Sequence, residues 1–276
     1  MIATIPLAYL WLIPLGFIVG AYGTLIGAGG GFVLVPFLLI LYPHETAETI
    51  TAISLAVVFF NALSGSIAYA RMRRIEYRSG LIFSAATIPG AILGALTTAF
   101  LPRRLFDTIF GLLLIAAAAY LGIKPRVEVK SKWPCPPNYR ECIITDASGT
   151  VHRFSYHQVL GIGVSMVVGF FSSLLGIGGG IIHVPVLVQL LNFPIHIATA
   201  TSHFVLTNMA LTGTLTHIVT GTFTHGVHRT ILLAIGVIFG AQLGAWLSGK
   251  VRGTWIIRGL AIALGAVGIR LLMTLP

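Results

Sequence analysis

The side chains in this sequence that could hold a ligand are few, polar and mostly uncharged. Ser54 and Asn61 stand seven residues apart with Gly65 four further on, a spacing that places them on one helical face. Thr201, Asn208 and Thr212 repeat the spacing, with Ser202 beside the first of them. A carboxamide can offer its NH2 to an oxyanion and its carbonyl to a neighbour, so Asn61 and Asn208 read as a matched clamp. The plain alternative is that buried Asn, Ser and Thr side chains only link helices. His183 and His203 are the ionisable groups set deepest in apolar surroundings, and His217 is a weaker third. Histidine titrates near neutrality, so either could hold an anion or couple its movement to a proton, or stand as a neutral hydrogen-bonded core residue.

These side chains flank two glycine runs. Gly27-Ala-Gly-Gly-Gly-Phe-Val-Leu-Val-Pro36 returns 149 positions later as Gly176-Ile-Gly-Gly-Gly-Ile-Ile-His-Val-Pro185. Each glycine in a helix interior costs about 1 kcal/mol against alanine. The triplets Gly29, Gly30, Gly31 and Gly178, Gly179, Gly180 therefore predict interruptions in two otherwise helical segments. Within a bilayer, backbone freed in this way must be buried in protein or line a wet cavity. A short helix follows each break, from Phe32 and from Ile181, and its first turn offers unpaired N–H groups and about half a positive elementary charge. Glycine lets an anion approach that backbone. The competing reading is that the glycines serve tight helix packing alone.

The elements that carry these residues are membrane helices. The chain has 276 residues, 56% hydrophobic and 9% charged, with a mean hydropathy of +0.95, far below the roughly 25% charge of a soluble domain. The net charge of +10 belongs mainly to loops. Arg71, Arg73, Arg74 and Arg78 flank long apolar runs in the positive-inside manner, so nucleic acid is excluded as a partner.

Apolar runs predict a helix over 6–26, the glycine break and a helix over 32–41. Spans over 50–70, 81–100 and 106–123 follow. A signal peptide is disfavoured at the start, because no basic segment precedes the apolar run and no small-residue cleavage site follows it. Residues 124–156 form a polar insertion, with two short β-runs around Asp146-Ala-Ser-Gly149. The second half repeats the first. It has a helix over 157–175, the break, a helix over 181–191 and spans over 198–220, 229–248 and 255–275. Ile88-Pro-Gly-Ala-Ile-Leu-Gly-Ala95 and Ile238-Phe-Gly-Ala-Gln-Leu-Gly-Ala245 match closely, with glycines at the small-xxx-small spacing.

The chain thus reads as an all-α integral membrane protein of about eight transmembrane helices. Its two homologous halves, 1–123 and 157–276, are separated by the insertion, and broken helices at matching positions mark secondary transporters.

The paired Gly-x-Gly-Gly-Gly-x-x-x-Val-Pro runs, each followed by an apolar helix and then Thr51-Ala-Ile-Ser54 or Ala198-Thr-Ala-Thr-Ser-His203, resemble the TauE/SafE family of sulfite and organosulfonate exporters. The resemblance covers nearly the whole chain. It implies an exporter of small sulfur-containing anions in the inner membrane, with no enzyme chemistry and no cofactor. An anion channel, or a carrier of a carboxylate anion, is the alternative.

No Asp or Glu lies well inside a predicted span, which argues against a cation pathway or a carboxylate proton relay. No His or Cys pair in the spans has zinc-like spacing with carboxylate support, so no metal is expected. A serine hydrolase is disfavoured because Ser64-Gly-Ser66 lacks the Gly-x-Ser-x-Gly context. The expected partners are a small anion and the lipid bilayer, and a homo-oligomer is compatible with this reading. The positive-inside count puts the insertion and the 71–78 loop in the cytoplasm, where Cys135 and Cys142 would stay reduced; a disulfide would follow only in an oxidising compartment. Arg103, Arg104, Lys250 and Arg252 fall on the opposite side in an eight-crossing arrangement. If either glycine segment is re-entrant, the halves become inverted instead of parallel.

Overall fold

The computed structural model describes residues 9–123, 139–250 and 253–273. Ten α-helices and one β-hairpin are found among them: α1 (Leu12–Ile26), α2 (Gly31–Leu41), α3 (Ala47–Arg71), α4 (Tyr77–Thr98), α5 (Arg103–Ile123), β1 (Tyr139–Thr145), β2 (Val151–His157), α6 (Gln158–Leu175), α7 (Gly180–Gln189), α8 (Ile195–Val219), α9 (Val227–Ser248) and α10 (Gly253–Met273). Four of them, α3, α4, α6 and α9, are long and apolar enough to cross a membrane by length and composition. Large apolar side chains such as Leu93, Val167 and Phe239 face outward, as lipid-facing residues do.

The unwound segments are Gly27–Gly30 and Gly176–Gly179, one residue short of the expected Gly31 and Gly180, which instead begin α2 and α7. The reason is in the backbone. Gly27, Gly29 and Gly30 have φ of +84°, +75° and +81°, and Gly176, Gly178 and Gly179 have +68°, +78° and +69°, a region that costs L-residues with a side chain roughly 1–2 kcal/mol each. The first expected helix also begins later than Pro6: Leu12 opens it, and residues before Tyr9 lie outside those described.

Glycines fix how the helices run. In α1, Gly16 lies against Leu233 and Gly20 against Val237; in α9, Gly236 lies against Ile13 and Gly240 against Phe17. The two helices are therefore parallel. Helix α3 is parallel to α9 as well, since Ile53 meets Gly226 and Ser64 Oγ donates to the Ile238 carbonyl. With α1 and α3 running the same way, α2 has to run back between them. Its far end is held at the base of α5 and α9, where Arg103 donates to the Leu39 carbonyl and Arg229 lies over the Tyr42 ring. So α1 and α2 form a helical hairpin.

The second half does the same in the opposite sense. Helix α4 is parallel to α6, with Gly90 against Met166 and Gly94 against Phe170. It is parallel to α8 also, with Gly80 against Phe204 and Ser84 bonded to Asn208. Helix α7 returns between α6 and α8, and Leu191 just past its end meets Gly161 in the first turn of α6. Helices α3 and α8 are antiparallel, with Gly65 against His203 and Gly213 against Leu55; α5 and α10 are antiparallel too, with Gly111 against Leu272 and Gly268 against Ile115. Exchanging α1–α5 with α6–α10 maps each of these packings onto another or onto itself.

Strands β1 and β2 pair antiparallel from Tyr139↔His157 to Thr145↔Val151, the expected hairpin. It docks on the α3–α4 connection. Ala147 N–H donates to the Met72 carbonyl, Asp146 pairs with Arg74 at 3.5 Å, and Tyr156 meets Ser79. Cys142 carries a free, buried thiol that burial raises to about 11; Cys135 lies outside the described residues.

Candidate functional site

The two helical hairpins enter the bundle from opposite ends and pass one another in its middle. Gly29 touches Val58 and Leu206, and Gly178 touches Val58, near the midpoints of α3 and α8. The contact between the tips is reciprocal. Gly31 sits against the Gly176 and Ile177 carbonyls, and Gly180 against Gly27 and Ala28, where a Cβ on either would overlap backbone. Glycine at the head of α2 and of α7 is thus required by close approach, not by torsion. Both segments, 27–31 and 176–180, are buried.

Each tip presents a helix N-terminus to this middle. The α2 ladder begins with Val33 and Leu34 donating to the Gly30 carbonyl, which leaves the amides of Gly30, Gly31 and Phe32 without an acceptor among the described residues. In α7, Ile182 and His183 donate to the Gly179 carbonyl and Gly180 donates to that of Gly178, so Gly179 and Ile181 keep free amides. Unpaired first-turn amides attract negative charge.

Several polar side chains converge on the tips. Ser54 Oγ donates to the Gly176 carbonyl at 2.6 Å. Thr51 packs on Gly176 and Thr199 on Gly27, while Ser172 lies beside Gly179 and Ser173 beside Gly213. On the first tip, Thr24 Oγ1 donates to Asn61 Oδ1 at 3.1 Å and meets His203 Nε2 at 3.2 Å, and the Tyr69 hydroxyl donates to the Thr24 carbonyl. Thr51 Oγ1, Asn61 Nδ2, Ser172 Oγ, Ser173 Oγ and His203 Nδ1 are buried without a hydrogen-bond partner. Buried polar groups are nearly always satisfied, and the Thr51, Asn61, Ser172 and Ser173 atoms are all able to donate to a ligand or a water.

The expected residues divide accordingly. Gly29, Gly30, Gly31, Gly178, Gly179, Gly180, Ser54, Asn61 and His203 meet at the tips. His183 is buried between α6, α8 and α4, with Ser165 and Ser202 at 3.4 Å each and Phe83 edge-on, so it and Ser202 bond one another. Thr201 accepts from the Glu76 amide at the start of α4. Asn208 donates to Ser84 Oγ and the Phe204 carbonyl, facing α4. Asn61 and Asn208 are therefore not brought together.

Thr24, Thr51, Tyr69, Ser172 and Ser173 escaped the sequence reading. The sequence did carry a signal for two of them: Thr24 and Ser173 each stand three residues before the first glycine of a break.

The middle of the bundle holds no carboxylate among the described residues. Glu45 and Glu48 lie at one end with Arg103 and Arg229, whereas Glu76 and Asp146 lie at the other with Arg74 and Arg140. Nor do the described residues contain a cluster of three His, Cys, Asp or Glu able to hold a metal ion. The crossing point thus offers amide and hydroxyl donors and, among the described residues, no carboxylate as a counter-charge for a cation.

Comparison with known proteins gives one family and several relatives that match over most of the chain. The family described as sulfite exporter TauE/SafE matches over residues 12–271. A Bacillus subtilis protein described as the probable membrane transporter YunE is 32% identical over 278 residues, covering 96% of this chain and 98% of that protein. A Methanocaldococcus jannaschii protein, also described as a probable membrane transporter, is 25% identical over 99% of this chain and 100% of its own length. Another from Sinorhizobium is 27% identical over 95% of this chain and 91% of its own length. No solved structure gives a significant match.

Proposed function

We propose that this chain, which belongs to the sulfite exporter TauE/SafE family, moves a small sulfur oxyanion or sulfonate across the inner membrane, outward, through the crossing point of its two hairpins. It is a multi-pass membrane transporter, not an enzyme. The observation that carries the ligand class is the pairing of two helix N-termini, with free amides, among unpartnered neutral donors in a middle that lacks carboxylates. Preorganised N–H and O–H donors suit an oxyanion, and a site without acidic side chains does not repel it. Sulfur comes from the family's description; amides and dipoles alone would accept a carboxylate or a phosphate as well.

The two hairpins are proposed as re-entrant segments, with α3, α4, α5, α8, α9 and α10 as the crossings and the halves inverted in the membrane. That arrangement is one of those expected of duplicated carriers with broken helices.

Reconstitution tests the function. Protein in liposomes is expected to accelerate movement of sulfite, thiosulfate or an organosulfonate over protein-free vesicles, with a concentrative component under an imposed gradient that separates a carrier from a channel. Asn61→Ala is expected to slow it at least tenfold. Asn208→Ala, which breaks a link from α8 to α4, is expected to cost about 0.6 kcal/mol of stability and little flux. Movement of cations only, or of no anion in a panel that includes carboxylates and phosphate, would refute the proposal.

A further inference from the structure

The helices that lead into the two breaks end differently. Counting back from the first glycine of each break, α1 has Gly23 and Thr24 where α6 has Ser172 and Ser173. The first tip has no room for a side chain at this place: a Cβ on Gly23 would stand 2.3 Å from the Gly30 nitrogen. The Gly23 carbonyl accepts from the amides of Ala28 and Gly29, and the Thr24 hydroxyl is bonded to Asn61. The second tip admits a serine. A Cβ on Gly179 would lie 2.2 Å from Ser172 Oγ, so this hydroxyl rests against the residue that caps α7. Gly30, in the equivalent place, meets Val19 instead.

Ser172 is 0% exposed, and its Oγ has no hydrogen-bond partner in the protein. Buried hydroxyls elsewhere in this chain are used. Thr98, Thr214 and Thr230 fold back on the carbonyl four residues earlier, while Ser54 and Ser64 reach carbonyls across the bundle. Among the described residues, the buried serine hydroxyls without a partner are those of Ser172 and Ser173, both at the end of α6. Beside Ser172, the head of α7 keeps the amides of Gly179 and Ile181 without an acceptor. On the transport reading above, on which this rests, we propose that the crossing point seats a single anion on the second tip. Ser172 Oγ and the Gly179 and Ile181 amides donate to its oxygens, and the head of α2 faces it.

A serine hydroxyl carries one hydrogen on a free rotor and turns it toward whatever acceptor arrives. Donated to an anion, that hydrogen makes a charge-assisted bond, stronger than one between neutral groups. Left without an acceptor, the same buried hydroxyl costs the protein stability. The two facts give Ser172 a signature that a packing serine lacks. Alanine keeps the Cβ and removes only the hydroxyl, so the protein without anion loses nothing by the change, while the complex with anion loses a bond. A serine that holds helices together would lose stability in both states.

Anion binding and stability are therefore measured side by side. The full chain, purified in detergent, is titrated calorimetrically with sulfite and with methanesulfonate, and its melting temperature is taken without anion. A single saturable site per chain is expected. Ser172→Ala is expected to weaken binding at least about tenfold, as loss of one hydrogen bond to a charged acceptor does, with a melting temperature equal to or above that of the unaltered protein. Ser165→Ala lies two turns earlier on the same face of α6, where it meets His183. It is expected to keep affinity within about twofold, as distant independent sites do. Paired sites of similar affinity in the unaltered protein would overturn the inference, since equivalent tips then bind alike. Unchanged affinity in Ser172→Ala would overturn it too, and so would a lowered melting temperature or loss of the folded protein, which marks the hydroxyl as bonded within the chain. Each of these leaves the transport reading standing. Failure of every anion to bind the unaltered protein removes that reading and this inference with it.

Discussion

At Gly31 and Gly180 the two hairpins are separated by little more than a hydrogen atom. A Cβ on Gly31 would stand 2.6 Å from the Gly176 carbonyl oxygen, and one on Gly180 would stand 2.2 Å from that of Gly27. Neither neighbour is a flexible side chain that could swing away. Gly31→Ala and Gly180→Ala are therefore expected to lose about 1–3 kcal/mol by overpacking, seen as lower melting temperatures in detergent, together with a loss of transport. Gly163→Ala is the matched control. Its Cβ meets nothing within 4 Å, and α6 gains up to about 1 kcal/mol from the better helix former. If all three behave alike, the tip contact carries no special weight. The glycines were legible because their composition is extreme, and the histidines because they interrupt apolar runs. The asparagine pair misled. Gly65 answers to Gly213, and Leu55 to His203, so the halves of this helix pair are offset by 148 residues. The Asn61–Asn208 spacing is 147, and a one-residue slip turns a helical side chain by about 100°, enough to aim Asn208 at Ser84 instead of the tips.

Among the elements, helix existence and extent followed from hydropathy, and the glycine breaks from propensity. The direction taken after a break did not. Three positive φ angles in four residues accompany the reversal of the chain, and apolar periodicity is the same whether a chain turns back or continues. Only the parallel packing of α1 and α3 on α9 reveals the return. The β-hairpin was legible from its turn, but its docking was not, since Arg74 and Asp146 are 72 residues apart in sequence. The turn of the hairpin has a pH signature. Hydrogen bonds from Ser148, then from the Thr150 and Ser148 amides, hold the Asp146 carboxyl well below the usual carboxylate range. A depressed folded value means the folded turn is favoured above the ordinary carboxylate pKa near 4, and that this contribution fades as pH falls through the lowered one. Amide exchange over 139–157 is expected to quicken with Asp146→Ala at neutral pH, after correction for intrinsic rates. Unchanged protection would show that the strands dock without this carboxylate.

For the whole molecule, the hairpin arrangement changes which loops share a side of the membrane, and charge supplies an independent check. With the broken helices as full crossings, Lys250 and Arg252 fall opposite the insertion and oppose the positive-inside pattern. With both hairpins re-entrant, the 71–76 connection, the insertion and the 249–252 connection lie together. Among the described residues that side gathers Arg71, Arg73, Arg74, Arg78, Arg140, Arg153 and Lys250, against Arg103, Arg104, Arg229 and Arg270 on the other. The first side is then cytoplasmic. Substituted-cysteine labelling in intact cells distinguishes the two arrangements, on a background in which Cys135 and Cys142 are serine. Leu10→Cys, just before α1, and His44→Cys, just after α2, are both expected to react with an impermeant maleimide from outside. Ser148→Cys and Asn192→Cys are expected to react only after the membrane is opened. In the full-crossing arrangement Leu10 and His44 take opposite sides, and so do Ser148 and Asn192. A split within either pair would rule out the re-entrant reading, and with it the meeting of two hairpins from opposite faces on which a shared anion site depends.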